Sequence, residues 1–239
     1  MRIAIVSDIH GNRTAFEAVL EDLRYTSPDL IFHGGDLADG GANPAWVVDQ
    51  IRDLGWQGVV GNTDEMLFAP ESLRDFAKLS PTLQPLLAVI EEIAAATRDT
   101  LGQERLAWLH RLPRIQVHES MALLHASPES LLRAPAPEAN DDELQAVYGA
   151  LGQPIVVYAH IHKSYVRHVS GMIVANAGSV SLSYDGDRRA AYLLLDRFEP
   201  IIRRVKYDVD QEVAALSHCA LPHSDWIAKT LQSGRPQMP

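Results

Sequence analysis

Several apolar strands in the sequence are followed directly by side chains that can bind metal ions. Asp8 and His10 come after the first of them, and Asp36 comes after the second, preceded by Gly34 and Gly35. A carboxylate has two oxygens with about four lone-pair sites, so Asp36 can bridge two cations if the backbone turns sharply before it. An ordinary turn whose Asp only caps the next helix is the alternative. Two bridged cations would support metal-assisted hydrolysis.

Three further strands end in the same way. Asn62 follows the third strand, His125 follows a later one, and the pair His160 and His162 follows another. Residues two apart on extended backbone project to the same side, so each Asp-x-His or His-x-His pair is predicted to face one place. Carboxylate, imidazole and amide ligands together suit Mn, Fe, Co, Ni or Zn. The predicted ligands of two divalent ions that share Asp36 are Asp8, His10, Asp36, Asn62, His125, His160 and His162.

The first 65 residues alternate strands with helices. Asn12 is a predicted N-cap of the first helix, and Asn43 with Pro44 begins the second. Parallel strands joined by such helices bring their carboxyl ends to one edge of a sheet, where ligands bind. Residues 70–112 are predicted to be helical and largely structural, and the strands between residues 165 and 205 are predicted to form a second sheet facing the first.

Length and composition predict one domain over residues 1–239, with a disordered tail at about 233–239. Apolar residues make up 46% of the chain and charged residues 22%, and no apolar run approaches the ~18 residues of a membrane-spanning helix. The single cysteine, Cys219, suits a reducing compartment, so we expect a cytoplasmic protein. A net charge of −10 disfavours loose binding to nucleic acid or to an anionic membrane.

The order of these motifs resembles that of the calcineurin-like metallophosphoesterases. The similarity runs from Arg2 to about Asp196, and it is closest to the small prokaryotic phosphodiesterase-type members. The motifs that carry it are Asp8-Ile-His-Gly-Asn12, Gly35-Asp-Leu-Ala-Asp39, Gly61-Asn-Thr-Asp64, the lone His125, His160-Ile-His162, and the loop Asn176-Ala-Gly-Ser-Val180.

The resemblance implies an α/β sandwich of two mixed β-sheets flanked by helices. It also implies a division of the ligands, in which Asp8, His10 and His162 hold one ion, Asn62, His125 and His160 hold the other, and Asp36 is shared. By the same resemblance, the protein hydrolyses small or nucleotide-like phosphoesters with a metal-bridging hydroxide as nucleophile. Asp36, Asn62 and His125 would be the catalytic residues, and Asn12, Asn62 and Asn176 would contact the substrate.

Other residues near the motifs receive different predictions. Thr63 stands where many relatives carry a His that assists the leaving group, which argues against efficient attack on esters with poor leaving groups. Asp39 and Asp64 are predicted to stabilise loops or to orient ligand histidines. His33, on a buried strand, is predicted to be a core residue.

Two other functions are compatible with the same motifs. A scaffold on this fold, like the retromer subunit that resembles these enzymes, is disfavoured because every ligand position is filled. A nuclease is disfavoured by the acidic balance and by the lack of a basic stripe. We therefore expect a small phosphoester substrate, with neither a membrane nor a nucleic acid as partner. The oligomeric state is left open, with a homodimer as one option.

Overall fold

Two mixed β-sheets face each other in the protein, in a computed structural model that describes residues 1–79 and 81–239. The first sheet consists, in spatial order, of β10 (Glu199–Val205), β9 (Ala190–Asp196), β1 (Arg2–Val6), β2 (Leu30–His33) and β3 (Gln57–Gly58). β1, β2 and β3 are parallel, whereas β9 and β10 are antiparallel to their neighbours. The carboxyl ends of the first three strands therefore share one edge, as the sequence predicts.

The second sheet is also mixed, with one antiparallel strand at each edge. It consists of β4 (Ile115–His118), β5 (Met121–Leu124), β6 (Ile155–Tyr158), β8 (Met172–Asn176) and β7 (Tyr165–Val169). β5, β6 and β8 are parallel, and β4 and β7 are antiparallel edge strands. The predicted fold class, a sandwich of two mixed sheets, is confirmed.

Helices cover the outer faces of both sheets. They are α1 (Arg13–Thr26), α2 (Pro44–Asp53), α3 (Asn62–Phe68), α4 (Glu71–Leu79), α5 (Gln84–His110), α6 (Asp141–Tyr148), α7 (Val209–His218) and α8 (Ser224–Ser233). Within residues 1–79 and 81–239, none of the helices combines the length and the apolar character needed to cross a lipid bilayer.

The alternation of apolar residues along β1 explains the layering. Ile3 and Ile5 point into the core between the sheets, where they meet residues of the second sheet such as Val157. Ala4 and Val6 point to the other face and join the core under α1, α2 and α5. Because side chains alternate across a strand, one buried strand supplies two cores at once. A third core lies between the second sheet and α6.

Three predicted features differ from the structure. The strands between residues 165 and 205 were predicted to form the second sheet together, but β9 and β10 belong to the first sheet, because β9 pairs antiparallel with β1. The third strand was expected over residues 57–60 but ends at Gly58, because the Val60 N–H donates to the carbonyl of Pro113 at 2.9 Å. The tail at 233–239 was expected to be disordered. Instead, Trp226 Nε1 donates to the carbonyl of Gln237 at 2.9 Å and so ties this segment to α8.

Candidate metal centre

The predicted ligands lie together at the carboxyl ends of the parallel strands, and they form two groups. In the first group, Nε2 of His162 lies 3.3 Å from Nε2 of His10 and 3.2 Å from Oδ1 of Asp8. Ligand atoms of these three residues and of Asp36 all lie within 4.8 Å of one another. This spacing would allow them to hold one cation.

The second group is built around the amide of Asn62. Its Oδ1 lies 2.9 Å from Nε2 of His125 and 2.8 Å from Nδ1 of His160. Oδ2 of Asp36 is 3.4 Å from Nε2 of His125 and 3.8 Å from Nε2 of His10. The Asp36 carboxylate therefore lies between the two groups, which is the position that the sequence predicts for a bridging ligand.

The backbone that carries five of these side chains is left-handed rather than extended. Asp8, His10 and Asp36 have φ values of 53°, 48° and 53°, and His160 and His162 have 66° and 55°. The prediction that an extended backbone aligns each pair is therefore wrong, because the strands end before the ligands begin. His160 and His162 accordingly point to different groups. Non-glycine residues in this region cost about 1–2 kcal/mol each, and such strain collects at functional sites.

Hydrogen bonds between neighbouring loops hold this conformation. The N–H of Asp8 donates to the carbonyl of Gly35, and the N–H of His10 donates to the carbonyl of Asp36, which extends the pairing of β1 and β2 into their loops. The buried Asp64 carboxylate accepts the N–H groups of Asp36, Leu37 and Gly61 at 2.8, 2.9 and 3.0 Å. Asp64 thus stabilises the loop that presents Asp36, as the sequence predicts.

Two of the predicted substrate contacts, Asn12 and Asn176, have buried side chains that are hydrogen-bonded within the protein. Asn12 is 1% exposed, accepts the N–H of Ala15 as the N-cap of α1, and donates to Ser181 Oγ. Asn176 is fully buried and donates to the carbonyl of Ala159, just before His160. Both amides hold the backbone of neighbouring loops in place. Asn62 differs, since its amide faces the site itself.

Backbone carbonyls set the tautomers of three histidines. The Nδ1 atom of His10 lies 2.7 Å from the carbonyl oxygen of Asp39. The Nδ1 atom of His125 lies 2.8 Å from that of Gly34, and the Nδ1 atom of His162 lies 2.5 Å from that of Leu182. A carbonyl oxygen only accepts, so each Nδ1 carries a proton and each Nε2 faces the site. Metal-binding histidines are commonly oriented in this way.

Two observations indicate that a cation belongs here. Both carboxylate oxygens of Asp8 are buried without a hydrogen-bond partner, although an uncompensated buried charge is costly. Burial lowers the pKa of His10, so its ring is neutral. Its Nε2, which faces Nε2 of His162, therefore carries no proton that could form a hydrogen bond between the two nitrogens. A divalent ion would satisfy the carboxylate and both nitrogens. The donor set therefore fits a first-row metal.

The charges of Asp36 and His125 depend on each other. Burial alone would raise the pKa of Asp36, but the neighbouring His125 holds it well below its usual range. Burial alone would lower the pKa of His125, but Asp36 raises it to about 9. Asp36 is therefore ionised at neutral pH, and a metal ion that binds His125 there must displace a proton.

Asp39 should make the stability of the metal-free protein depend on pH. Burial, with a contribution from the charge of Asp36, raises its pKa from 3.8 to about 7. The folded protein then keeps a proton that the unfolded chain has lost, so this stabilisation is complete below about pH 4 and disappears as the pH rises through about 7. We expect the contribution of Asp39 to the free energy of unfolding to fall by up to about 4 kcal/mol across this interval. The buried His33 and His160 have lowered pKa values and change the stability in the opposite direction, so the contribution of Asp39 is measured as a difference from Asp39→Asn.

Denaturant unfolding of the chelated protein between pH 4 and pH 8 measures this effect. The free energy of unfolding of the unmodified protein, minus that of Asp39→Asn, should decrease as the pH rises, because the amide does not titrate. A difference that stays constant between pH 4 and pH 8 would contradict this role of Asp39.

Sequence reasoning missed Tyr184 as a component of the site. Its ring stacks on the His162 ring, with centroids 4.5 Å apart and an angle of 24° between the planes. Burial, together with the charges of Asp8 and Asp36, raises its pKa to about 12, so the hydroxyl stays protonated. Tyr184 belongs to no recognisable motif, and only the short distance in sequence from the loop at 176–180 could have suggested it.

Comparison with known proteins agrees with this geometry. The family model of the calcineurin-like phosphoesterase superfamily domain matches residues 1–197. An uncharacterized protein of Methanocaldococcus jannaschii is 30% identical over 257 residues, covering 98% of this chain and 98% of that protein.

Two solved structures share the fold. A metallophosphoesterase from Sphaerobacter thermophilus has a TM-score of 0.78 at 24% identity, covering 98% of this chain and 99% of that one. A hypothetical protein from Pyrococcus horikoshii has a TM-score of 0.85 at 16% identity, covering 99% of each chain. Since the family model spans most of the sequence and includes every motif of the candidate metal centre, the chain belongs to the calcineurin-like phosphoesterase superfamily.

Proposed function

We propose that the protein is a metal-dependent phosphoric ester hydrolase that acts on small or nucleotide-like phosphoesters, with phosphodiesters preferred. The observation that carries this proposal is the position of the Asp36 carboxylate between two groups of ligands. We further propose that one divalent ion lies among Asp8, His10 and His162, and the other among Asn62, His125 and His160. Manganese is our first choice, with Fe, Ni or Zn as the alternatives.

The bound ions would supply positive charge to the phosphoryl oxygens and a water molecule of lowered pKa as nucleophile. The chain's own residues prepare the site for this chemistry. Asp36 is ionised, because its pKa is lowered, and the Thr63 N–H fixes its orientation by donating to Oδ1 at 2.9 Å. The carbonyls behind His10 and His162 keep both rings in one tautomer.

Thr63 determines which esters are favoured. Its hydroxyl follows Asn62 in sequence, is buried, and has no hydrogen-bond partner. A hydroxyl group is too weak an acid to protonate a departing alkoxide efficiently at neutral pH. Esters whose leaving groups need no protonation should therefore be the better substrates, which supports activated diesters over ordinary alkyl monoesters.

The function is tested by following p-nitrophenolate release from bis(p-nitrophenyl) phosphate. We expect hydrolysis by the Mn²⁺-loaded protein, loss of activity on chelation, and recovery when the ion is restored. p-Nitrophenyl phosphate, assayed in parallel, tests the preference for diesters. A protein that binds no divalent ion, or that is equally inactive with and without Mn²⁺, Fe²⁺, Ni²⁺ and Zn²⁺, would instead be a scaffold on this fold.

We also propose a small-molecule substrate rather than a nucleic acid, and a location in the cytoplasm. The net charge of −10 supports the first proposal, and the single cysteine supports the second. Cleavage of single-stranded DNA, assayed at two salt concentrations, tests the first, because electrostatic binding to DNA weakens steeply as salt increases.

A further inference from the structure

A small apolar cavity lies beside the candidate metal centre. Its volume is about 120 Å³, and His10 and Asn62 from the metal centre form part of its wall. The rest of the wall is mainly apolar and comes from α3, α5, α8 and the loop before Tyr184. The apolar lining residues are Met66, Ile90, Ile93, Leu182, Trp226 and Ile227.

The α8 side of this cavity lies outside the part of the chain that matches the family. The family model ends at residue 197, whereas Trp226 and Ile227 lie beyond it. α8 packs on α5 through a core that includes Ile93 and Ile227. His223, before α8, lies 2.8 Å from Glu92 of α5. The position of this wall is therefore fixed by its own contacts.

Thr63 Oγ1 and Asp39 Oδ1 in the cavity wall are buried without a hydrogen-bond partner, whereas two other polar groups of the wall have partners. Thr230 Oγ1 donates to the Trp226 carbonyl, and His10 Nδ1 donates to the Asp39 carbonyl. Among the described residues that line the cavity, none is a Lys or Arg. A second phosphate would find no positive charge here. The polar edge of a nucleobase would find Thr63 Oγ1 and Asp39 Oδ1 as buried unpartnered groups, which replace only part of its hydrogen bonds to water.

We propose that this cavity binds an apolar ring, about the size of a phenyl group, in the alcohol portion of the phosphoester substrate. This inference rests on the proposed function and makes the substrate class more specific. An apolar cavity of roughly 150 Å³ holds one benzene molecule, so the volume here suits a single ring or a short branched alkyl group. The ester phosphate would lie at the metal centre, because His10 and Asn62 belong to both places.

Calorimetric titration of the Mn²⁺-loaded full chain with phenylphosphonate and methylphosphonate tests the proposal without turnover. We expect phenylphosphonate to bind at least about tenfold more tightly, because burying the ring removes apolar surface from water. Binding of the ring should also give the more negative heat-capacity change. Adenosine 5′-monophosphate should bind no more tightly than methylphosphonate.

Filling the cavity should remove this selectivity. In Ile90→Trp the ratio of the two dissociation constants should fall to about one, while methylphosphonate binding changes by less than about threefold. The matched control is Ala88→Trp, which places the same indole at an exposed position of α5 and should keep the full ratio. If Ile90→Trp does not fold, Ile90→Ala is used. In this variant the cavity is wider. The dissociation constant of 1-naphthylphosphonate should therefore decrease relative to that of phenylphosphonate, compared with the same ratio in the unmodified protein.

The outcomes separate this inference from the proposed function. If methylphosphonate binds and diesters are hydrolysed, but the phenyl group adds no affinity, the inference fails and the function stands. Tighter binding of adenosine 5′-monophosphate than of phenylphosphonate would also overturn the inference. If neither phosphonate binds and no ester is hydrolysed, both the function and the inference fail.

Discussion

Asp36→Asn should reduce kcat/KM for bis(p-nitrophenyl) phosphate by at least about 10³-fold, because the variant loses the negative charge between the two ligand groups. Oδ2 of Asp36 faces both His125 and His10. An amide keeps the size of the side chain but presents only one oxygen. We also expect the amount of bound Mn²⁺ per chain, measured by elemental analysis after dialysis, to fall clearly below that of the unmodified protein.

Asp53→Asn is the matched control for this substitution. Asp53 is exposed at the end of α2, so the same chemical change there should leave both the bound metal and the activity unchanged. Denaturant unfolding of both variants without metal shows whether either has lost its fold. An Asp36→Asn protein that is folded, binds the full amount of Mn²⁺ and keeps more than about a tenth of the activity would contradict a bridging role for Asp36.

The fold and the convergence of the ligands at one edge of the sheet could be predicted from the sequence, because both follow from the strand topology. The alternation of apolar faces in β1 and the alternation of strands with helices through β3 restrict the first three strands to a parallel arrangement with their carboxyl ends together. Each predicted ligand follows a strand, so its approximate place follows from the topology. Asp8 and His162, which are 154 residues apart, lie 3.2 Å from each other between Oδ1 and Nε2.

The local backbone could not be predicted in the same way. Left-handed conformations are uncommon outside glycine. Asp and His adopt them more often than most residues do, but the residue type alone does not single out Asp8 or His160. The conformation is imposed by partners that are distant in sequence, such as the carbonyl of Gly35, which accepts the N–H of Asp8. Extended pairs were the natural expectation, and tertiary hydrogen bonds overrode them.

The roles of Asn12 and Asn176 were hard to predict for a different reason. The amide of an Asn can cap a helix, fix a loop or bind a ligand, and the sequence does not say which of these its neighbours require. For Asn12 the capping bond to Ala15 satisfies the side chain. The ring-sized cavity was missed because its wall combines Met66, Ile93 and Trp226, which only the packing of distant helices brings together.

Gly61→Ala should disable the site without changing a ligand. Gly61 has a φ of −98°, which alanine tolerates, so the cost of the substitution is steric. A Cβ there would overlap Oδ1 and the backbone nitrogen of Asp36. The Gly61 N–H also donates to Asp64, which holds the Asp36 loop, so the chain cannot move aside freely. We expect unfolding of the metal-free protein to become easier by about 2–4 kcal/mol.

The displaced Asp36 carboxylate should also bind metal less well, and activity should fall by about 10²-fold or more. Gly149→Ala is the matched control, because Gly149 likewise has a negative φ, −60°, and a Cβ there would meet only the flexible side chain of Gln145. Its stability should change by less than about 1 kcal/mol. If Gly61→Ala kept full metal content and activity, the close contact between Gly61 and Asp36 would not control the position of the carboxylate, and the bridging geometry would have to depend on the ligand loops alone.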